Sequence, residues 1–589
     1  MYSDVKNVRI LVALLKKHGI RTAILSSGTC SIPVIHSMEI DSFFDCYSDI
    51  DERSAVFFAI GIAQMKREPV AVVCTSGTAT CNYLPGVCEA MKQNIPIVII
   101  TCDKDQNTLG HLTIQKINQH NMYASNCKYS VCIPPIKDEK DDWAVETMIS
   151  QALLELDHNG KGPVHINIYT DGDKKTFNTP GLPQVKNIKR LGYSQLLEKK
   201  HVLQTTLRTS SKILVVTGQI STLTETCVAS IESFCKKYGA VWSAEYVANT
   251  HSYCSLNTYK VFEQITLNEF KRSLCPDIVI SMGENFASYG IKSMLKLTHF
   301  SHWLINPSGR IVDAWNSIDN IFECEIQDFF DVMNSIPDVE QTTKYQRLWD
   351  TKMNSIKIPD EEFTSLHVVK KISEISENVK LIHLGILNST RLGHLFSFPK
   401  MANVYSNLGA LGIDGSLSTF LGQASVLKEG IALCIIGDLS FFYDINSLYH
   451  TDIPSNVRIV LLNNGGGSEF HLNTGIETIP MLDEYISAGH SNKAKEWAET
   501  CGLQYMSAYD KIELSEVLKN FMNPGGPILL ETFTDLEMDS LAIKSMYKAN
   551  GYSDEASYKS LGLRKILTKL VGVQKSQKIV RMAKIWRER

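Results

Sequence analysis

Two apolar segments, IALCIIGD at residues 431–438 and VRIVLLNN at residues 457–464, decide the fold of this chain. Each is a run of hydrophobic residues that ends in polar ones, which is typical of a strand buried in a parallel sheet. The carboxyl ends of parallel strands meet at one edge of the sheet, where α/β proteins bind phosphorylated ligands. We therefore expect Asp438 and Asn464 to lie close together at such an edge.

The carboxylate of Asp438 and the amide oxygen of Asn464 suit a magnesium ion. Mg²⁺ prefers hard oxygen ligands and completes its octahedron with water and substrate phosphates. With the backbone carbonyl of Gly466 as a third protein ligand, the two segments predict a magnesium site that anchors a diphosphate. Taken alone, each motif is also typical of an ordinary turn or loop, so the prediction depends on the pair.

Hydrophobic periodicity divides the chain into three α/β segments, in which short β-rich runs alternate with helical patterns. We predict an α/β fold class with three doubly wound parallel-sheet domains, spanning residues 1–180, 190–355 and 360–545, with a Gly-, Pro- and Asn-rich linker after the first. The predicted strands are TAILSS, PVAVVCT, IPIVIIT and GPVHINIY in the first domain, KILVVTG, PDIVISMG and FSHWLINPSG in the second, and VKLIHLG, NVYSN, IALCIIGD, VRIVLLNN and GPILLETF in the third.

The composition argues against several classes of protein. The 589 residues are 44% hydrophobic, which can fill several domain cores, and the net charge of -4 gives no reason to expect nucleic acid as a partner. No apolar run reaches the roughly 18 residues needed to cross a bilayer, and the first residues suggest an amphipathic helix rather than a signal peptide. The 15 cysteines lack metal-ligand spacing, so we expect reduced thiols in a cytoplasmic protein.

Together, GDLSFFYDINSL and NNGGGSEF resemble the signature of thiamine-diphosphate-dependent enzymes, in which a GD pair precedes NN at about this spacing. Leu439 stands where the usual third residue is Gly. Within that family the chain is most similar to the menaquinone-pathway synthases that join decarboxylated 2-oxoglutarate to isochorismate. Their other blocks occur in the same order, as SDIDERSAVFFAIGIA at 48–63, PVAVVCTSGTATCNYLPGVCEA at 69–90, NPSGRIVDAWNS at 306–317 and YSNLGALGIDGSLST at 405–419.

The resemblance implies thiamine diphosphate and Mg²⁺ as cofactors and assigns roles to two side chains. Glu52 matches the family's glutamate that shares a proton with the aminopyrimidine ring, and such a carboxyl must be shielded from water to raise its pKa. Without the family, it is an acidic residue at a helix start, where negative charge is favourable anyway. Ile413 matches the bulky residue beneath the cofactor, where a stiff β-branched side chain is useful. The other implied cofactor-binding residues are Thr75, Gly77, Thr78, Ser389, Gly437, Asp438, Leu439, Ser440, Asn464 and Gly466.

Enzymes of this family assemble each site between two chains. The resemblance therefore implies a homodimer or homotetramer with sites between subunits. The substrates implied are small molecules, namely a 2-oxo acid donor and an acceptor.

The substrate-binding positions depart from the family pattern. Cys30 and Leu408 stand where the family has arginines, and Gly393 replaces a third arginine. A thiol or an aliphatic side chain cannot reproduce the bidentate arginine–carboxylate pair. Arg391 lies nearby at another offset, where it either compensates or is a surface residue.

Other substrate positions are retained or changed in charge. Gln115 is retained from the family block, Lys104 replaces an arginine, and Lys292 lies near another basic family position. Glu469 falls where the family has an apolar residue and would disfavour anionic substrates; its alternative is a solvated loop charge. Phe470 and His471 follow it, and His471 is alternatively an ordinary hydrogen-bonded histidine.

The last residues, 546–589, form a basic amphipathic extension without a clear family counterpart. From Lys559 onward basic residues far outnumber acidic ones, and apolar residues recur at roughly helical spacing. Such a helix either lies on an anionic membrane or an acidic partner, giving a peripheral location, or packs against its own chain.

These observations favour a thiamine-diphosphate- and Mg²⁺-dependent 2-oxo acid decarboxylase or carboligase. Because the carboxylate-binding arginines are missing, the hypothesis is a substrate other than isochorismate, such as a sugar-derived acceptor in surface-polysaccharide synthesis. The first alternative is the menaquinone-pathway reaction itself, with repositioned binding groups. The second, a non-catalytic cofactor-binding scaffold, is disfavoured because Glu52, Asp438 and Asn464 are all present.

Overall fold

The computed structural model describes residues 1–170, 176–220, 223–335, 343–360, 362–449, 453–472, 476, 479 and 481–551. The predicted extension at 546–589 begins inside the last described helix, and its residues 552–589 lie outside the described part of the chain. Three parallel sheets with flanking helices confirm the predicted α/β class.

The first sheet is built from the amino-terminal segment and has the strand order β2-β1-β3-β4-β6-β5. Its registers are all parallel. The strands are β1 (Thr22–Leu25), β2 (Asp45–Ser48), β3 (Val70–Cys74), β4 (Ile97–Asp103), β5 (Tyr129–Ile133) and β6 (Val164–Tyr169). The helices are α1 (Lys6–Lys17), α2 (Ile32–Glu39), α3 (Glu52–Lys66), α4 (Thr78–Asn82), α5 (Leu84–Lys92) and α6 (Glu139–Leu154).

Both faces of this sheet are covered. One core contains residues of α1, α2 and α6, and the other contains residues of α3 and α5. The central strands β3, β4 and β6 are buried along their whole length, which explains their uninterrupted apolar sequences.

The middle segment supplies the strands of a second parallel sheet, in two groups. Strands β7, β12 and β13 pair in the order β12-β13-β7, and strands β8 to β11 pair in the order β10-β9-β8-β11. The strands are β7 (Lys189–Gly192), β8 (Ile213–Thr217), β9 (Val241–Ala244), β10 (Ser255–Leu256), β11 (Ile278–Met282), β12 (Ser301–Ile305) and β13 (Ile318–Glu323). The helices are α7 (Tyr193–Thr209), α8 (Glu225–Tyr238), α9 (Tyr259–Phe262), α10 (Leu267–Glu269), α11 (Tyr289–Lys296), α12 (Ile326–Asn334) and α13 (Lys344–Ser355).

The third sheet is built from the carboxy-terminal segment and has the order β15-β14-β16-β17-β19-β18, again all parallel. Its strands are β14 (Val379–Leu384), β15 (Asn403–Tyr405), β16 (Ile431–Gly437), β17 (Val457–Asn463), β18 (Gln504–Ala508) and β19 (Ile528–Phe533). The helices are α14 (Ser365–Glu374), α15 (Asn388–Leu395), α16 (Ser416–Ser425), α17 (Asp438–Tyr443), α18 (Glu469–Leu472), α19 (Lys495–Thr500), α20 (Lys511–Phe521) and α21 (Leu536–Ala549).

The chain divides into two compact units. The first contains residues Met1–Leu196 and His302–Cys324, and the second contains Leu197–Ser301 with the described residues from Glu325 onward. The residues 302–324 join the first unit through charged contacts. Glu323 accepts a hydrogen bond from His158 at 2.9 Å, and Arg190 donates to the carbonyl of Gly309 at 2.8 Å.

No helix in the described part of the chain is long and apolar enough to span a bilayer.

Candidate functional site

A cavity of about 310 Å³ lies in the second unit, where strands β14, β16 and β17 end. We call it the Asp438 cavity. All of the predicted cofactor-binding residues of this unit line it, together with Ile413, Glu469 and Phe470. They are Ser389, Gly437, Asp438, Leu439, Ser440, Asn464 and Gly466. The expectation that these residues share one edge of a sheet is therefore met.

Asp438 begins α17 directly after β16 and is buried. Its Oδ2 accepts hydrogen bonds from the backbone N–H groups of Gly465 and Gly466 at 2.8 and 3.0 Å, and its Oδ1 accepts one from Leu439 at 2.7 Å. Both glycines have positive φ values of 83° and 158°. A Cβ on Gly466 would lie 2.8 Å from the carbonyl oxygen of Ser487, so only glycine fits this loop.

Asn464 follows β17 and is oriented by a buried carboxylate. Its Nδ2 donates to Oδ2 of Asp539 at 2.8 Å, and its Oδ1 faces the N–H of Gly466 at 3.4 Å. Asp539 also accepts from the backbone and hydroxyl of Ser365 at 2.7 and 2.6 Å and from Thr534 at 3.0 Å. Burial raises the pKa of Asp539 above its ordinary value. The amide of Asn464 is thus held with its oxygen toward Asp438.

The donor set fits a magnesium ion with a bound diphosphate. One amide, that of Gly466, contacts both Oδ2 of Asp438 and Oδ1 of Asn464, so two hard oxygens converge. The carbonyl of Gly466 already accepts from Ser468 at 3.2 Å but has a second lone pair. Within the described residues, no group of three or more His, Cys, Asp or Glu side chains could hold a metal ion. A cation here would therefore need the diphosphate or water to complete its shell.

The two serines predicted to bind the diphosphate both line the Asp438 cavity. Ser389 is buried at the start of α15, and Ser440 is buried in the first turn of α17. Both lie at helix starts, where unpaired N–H groups favour anions. Leu387, just before α15, has a φ of 57°, an unusual value for a leucine.

Ile413 lines the same cavity and is 36% exposed. It precedes α16, whose N-cap Gly415 has a φ of 75°. The side chain is therefore available to contact a ligand, as predicted for a residue beneath the cofactor.

Three predicted substrate residues line a second, smaller cavity of about 90 Å³. We call it the Arg391 cavity. Lys292, Arg391 and Leu408 meet there, and Leu387 belongs to the lining of both cavities. These three positions, far apart in sequence, thus lie beside the predicted cofactor positions of the second unit.

Arg391 is not a surface residue, because it is only 7% exposed. Its Nη1 donates to Oε2 of Glu469 at 2.7 Å and its Nη2 to Oε1 at 3.0 Å, which is a bidentate pair. Nη1 also donates to Asn388, whose amide donates to Ser468 at 2.6 Å. Burial opposes the charge of Arg391, but the hydrogen bonds and charge of Glu469 prevail and raise the pKa of the guanidinium above its ordinary value. Glu469 is therefore not a solvated loop charge.

The two residues after Glu469 point to different places. Phe470 lines the Asp438 cavity, where its ring lies 3.0 Å from a Cβ built on Gly467. His471 does not line it and instead pairs with Asp483, with 2.8 Å between Nε2 and Oδ1. The prediction that His471 contacts substrate has no support in this arrangement, and its alternative as a hydrogen-bonded histidine fits.

Glu52 is the first residue of α3 in the first unit, after the N-cap Asp51. Its Oε2 accepts a hydrogen bond from Asn82 at 3.1 Å. The residue is half-buried. Within the described residues of the first unit, Asn82 at the end of α4 is the hydrogen-bond partner recorded for the Glu52 carboxylate.

The TSGT segment after β3 carries the remaining predicted cofactor residues. Thr75 is buried, Thr78 begins α4 and is exposed, and Gly77 has a φ of 81°. A Cβ on Gly77 would lie 2.7 Å from the Cγ of Gln115. Gln115 is exposed and donates to the carbonyl of Ser76 at 3.1 Å. Gln115 therefore contacts this segment, and the sequence analysis did not predict this contact.

Cys30 and Lys104 line a different space, a cleft of about 800 Å³ in the first unit. Cys30 is buried, and its sulfur lies 3.6 Å from the hydroxyl oxygen of Ser76. Lys104 donates to the carbonyl of Ile114. Neither side chain can form the bidentate pair that an arginine makes with a carboxylate. The ammonium of Lys104 also already donates one hydrogen bond within the first unit, to Ile114.

Two functional candidates escaped sequence reasoning. Asp539 orients Asn464 from 75 positions further along the chain, where no local pattern marks it. Lys116 forms a buried ion pair with Asp103 at 2.8 Å, and Asn167 donates to the same carboxylate at 3.1 Å. A lysine inside LTIQKINQ gives no sign of burial; only the position of Asp103 at the end of an apolar strand was a usable signal.

Comparison with known proteins agrees with this geometry. Residues 6–122 match the family model of the thiamine pyrophosphate enzyme, N-terminal TPP binding domain. The chain is 33% identical to the 2-succinyl-5-enolpyruvyl-6-hydroxy-3-cyclohexene-1-carboxylate synthase of Phocaeicola vulgatus over 93% of this chain and 99% of the relative. It is 32% identical to the enzyme of the same name from Bacteroides thetaiotaomicron and 29% identical to that from Flavobacterium johnsoniae, each again over 93% of this chain and 99% of the relative.

The fold, the paired oxygens at the edge of the third sheet and the nearly full-length similarity agree, and an enzyme is indicated rather than a scaffold. The chain belongs to the thiamine-pyrophosphate-dependent family of 2-succinyl-5-enolpyruvyl-6-hydroxy-3-cyclohexene-1-carboxylate synthases.

Proposed function

We propose that this protein uses thiamine diphosphate and Mg²⁺ to release carbon dioxide from a 2-oxo acid and to join the remaining carbons to an acceptor. The observation that carries the proposal is the convergence of Asp438 and Asn464 on the amide of Gly466 in a cavity of about 310 Å³. The cofactor supplies the electron sink for decarboxylation; the chain supplies binding, orientation and exclusion of water.

Each group of residues has a distinct task in this proposal. Asp438, Asn464 and the Gly466 carbonyl hold Mg²⁺, and the serines and backbone after β14 and β16 hold the diphosphate. Ile413 supports the cofactor from one side. Glu52 holds a proton near the aminopyrimidine ring, and Gln115 hydrogen-bonds the acceptor.

We propose a homodimer or a larger homo-oligomer in which a second copy covers the start of α3. Apolar side chains are exposed just before Glu52 and along α3, namely Ile50, Phe57, Phe58 and Met65. A patch of this kind favours a protein–protein contact. Burial by the second copy would exclude water from Glu52 and favour its protonated form.

The first candidate reaction is the one that names the relatives, the synthesis of 2-succinyl-5-enolpyruvyl-6-hydroxy-3-cyclohexene-1-carboxylate. Nearly full-length similarity supports it. In this case Lys104, Lys292 and Arg391 would take over the binding of substrate carboxylates.

The second candidate is the same chemistry on another substrate, and a specific observation favours it. Cys30 and Leu408 offer no cationic group, and the Arg391 fork is already paired with Glu469. Binding groups of this kind suit a substrate with fewer carboxylates than isochorismate and 2-oxoglutarate carry together.

Titration calorimetry with thiamine diphosphate tests the cofactor site. The wild type is expected to bind in the presence of Mg²⁺, and Asp438→Asn is expected to weaken binding at least about tenfold, because it removes a charged ligand of the metal. Asp350→Asn, an exposed substitution on α13, should bind like the wild type. No uptake by wild-type protein with Mg²⁺ would contradict the proposal.

Turnover separates the two candidate reactions. Conversion of isochorismate with 2-oxoglutarate would support the first. Release of carbon dioxide from another 2-oxo acid, with no conversion of that pair, would support the second.

A further inference from the structure

The pair of Arg391 and Glu469 forms part of the wall where the two cavities of the second unit adjoin. Glu469 lines the Asp438 cavity and Arg391 lines the Arg391 cavity. The carboxylate is therefore on the side of the cofactor positions, and the guanidinium is on the side of Lys292 and Leu408.

The pair has defined bidentate geometry and is largely buried, so it is not a chance surface contact. Both carboxylate oxygens meet both terminal nitrogens of the guanidinium at 2.7 and 3.0 Å, and the arginine side chain is 9% exposed. Asn388 and Ser468 extend the pair into a hydrogen-bonded chain that joins α15 to the glycine-rich loop before α18. A pair that is desolvated and bidentate is directional, and it competes with any other carboxylate for the same fork.

We propose that Glu469 is a specificity-determining residue that occupies, with the chain's own carboxylate, the fork that would otherwise bind a substrate carboxylate. The donor that this site accepts is a 2-oxo acid whose chain ends in a neutral group. A donor with a second carboxylate meets Glu469 across the cavity, and the fork of Arg391 is already paired with that residue. This inference rests on the second candidate of the proposed function, because it assigns the substrate class of that site; if the first candidate is correct, the inference is wrong.

The test begins with binding, which does not require turnover. Glutarate, a dicarboxylate without a keto group, is titrated calorimetrically into wild-type protein, Glu469→Leu and Glu469→Gln. Removal of the competing carboxylate frees Arg391, so Glu469→Leu is expected to bind glutarate at least tenfold more tightly than the wild type. Glu469→Gln keeps the shape and one acceptor for the fork, and a smaller gain is expected.

Two further variants separate the charge effect from a change of shape. Arg391→Leu combined with Glu469→Leu should lose the gain in glutarate binding, because the fork itself is gone. Glu499→Gln, exposed on α19, should leave binding unchanged. Thermal unfolding of each variant verifies that it is folded; if Glu469→Leu is not, Glu469→Gln decides.

Decarboxylation supplies the second readout. The kcat/KM values for pyruvate and for 2-oxoglutarate are compared, and the wild type is expected to favour pyruvate at least tenfold, with the ratio moving at least tenfold toward 2-oxoglutarate in Glu469→Leu. Unchanged glutarate binding in both Glu469 variants, or a wild-type preference for 2-oxoglutarate, would overturn the inference. Absence of turnover with normal glutarate results would contradict the proposed function alone.

Discussion

The first and third sheets share one strand order and use the same edge in different ways. The orders β2-β1-β3-β4-β6-β5 and β15-β14-β16-β17-β19-β18 correspond strand by strand. Glu52 and Ile413 both follow the second strand of their sheet and precede its crossover helix, α3 in one case and α16 in the other. The same connection thus presents a carboxyl group in one unit and an aliphatic side chain in the other.

The fourth strands in the two orders, β4 and β17, show how the two sheets differ in the partners of their polar ends. Asp103 ends β4 and is neutralised by Lys116 from its own unit at 2.8 Å. At the end of β17, Asn464 and the neighbouring Asp438 are instead held by backbone N–H groups and Asp539, and Nε2 of His490 lies 3.4 Å from Oδ2 of Asp438. A buried carboxylate needs a compensating partner. The first sheet compensates its carboxylate with a lysine, whereas the third uses N–H groups and an imidazole and presents oxygens that suit an added cation.

The largest effect is expected from Glu52→Gln. If the first sheet supplies the proton-holding group and the third supplies the binding site, this change should lower kcat by about 10²–10⁴-fold and leave thiamine diphosphate binding within about threefold of the wild type. Steady-state kinetics and calorimetry on the same preparation measure both quantities.

Glu68→Gln is the matched control, because Glu68 is exposed just beyond the end of α3. An unchanged rate in Glu52→Gln would remove the catalytic assignment. Lost cofactor binding would mean that both sheets contribute to binding and that the division of labour is wrong.

The next effect concerns the internal cation of the first sheet. Lys116→Met leaves Asp103 buried without its counter-charge, and about 3 kcal/mol should be lost from the free energy of unfolding. Lys116→Met combined with Asp103→Asn should lose less than the sum of the single changes, because no buried charge remains. Urea unfolding measures these differences.

The exposed Lys92→Met on α5 serves as the control for this series. Additive losses in the double variant would contradict the view that Lys116 acts as the sheet's own cation.

The sequence predicted the interior of the fold better than its margins. Runs such as IALCIIGD and VRIVLLNN became β16 and β17 because both faces of these strands are buried and demand apolar side chains. Strands β2, β5 and β18 lie at sheet edges. None of the four residues of β2 is buried, and only two of the five in β5 and one of the five in β18 are buried. These strands therefore have no continuous apolar signal in the sequence. These three edge strands were accordingly missed, whereas the edge strand β15 was predicted from NVYSN.

The residues of the candidate site also fall into a group that the sequence predicted and a group that it did not. Asp438 and Asn464 were predictable because each directly follows a recognisable strand. Asp539 and the pairing of Arg391 with Glu469 were not, because these contacts join residues 75 and 78 positions apart whose partners depend on the packing of helices. The opposite signs of Arg391 and Glu469 were visible in the sequence, but their contact was not.

A smaller effect is expected at the helix that orients Asn464. In Asp539→Asn one acceptor oxygen is replaced by a donor, so the amide of Asn464 loses the contact that turns its oxygen toward Asp438. Outer partners of metal ligands are typically worth about 10–100-fold in affinity; because a water can replace this contact, we expect about tenfold weaker Mg²⁺ binding. The Mg²⁺ dependence of thiamine diphosphate uptake measures it.

Glu537→Gln, an exposed change on the same helix, should leave the Mg²⁺ dependence as in the wild type. Equal Mg²⁺ affinity in Asp539→Asn would indicate that the backbone alone sets the geometry of the third sheet's edge.

The smallest effect tests whether the two sheets share a sensitivity to acid. Burial lowers the pKa of His165 on β6 to about 3 and that of His383 on β14 to about 4. Above the unfolded pKa of about 6.5 both states are neutral; as the pH falls below it, only the unfolded chain takes up the proton, so stability is lost. Between pH 6.5 and 5.5 each histidine should remove about 1 kcal/mol from the free energy of unfolding.

The pH-dependent loss should therefore shrink by that amount in His165→Gln and in His383→Gln, but not in His201→Gln, which is exposed on α7. Urea midpoints at the two pH values measure this, and an equal loss in all four proteins would mean that neither buried imidazole sets the acid limit of its sheet.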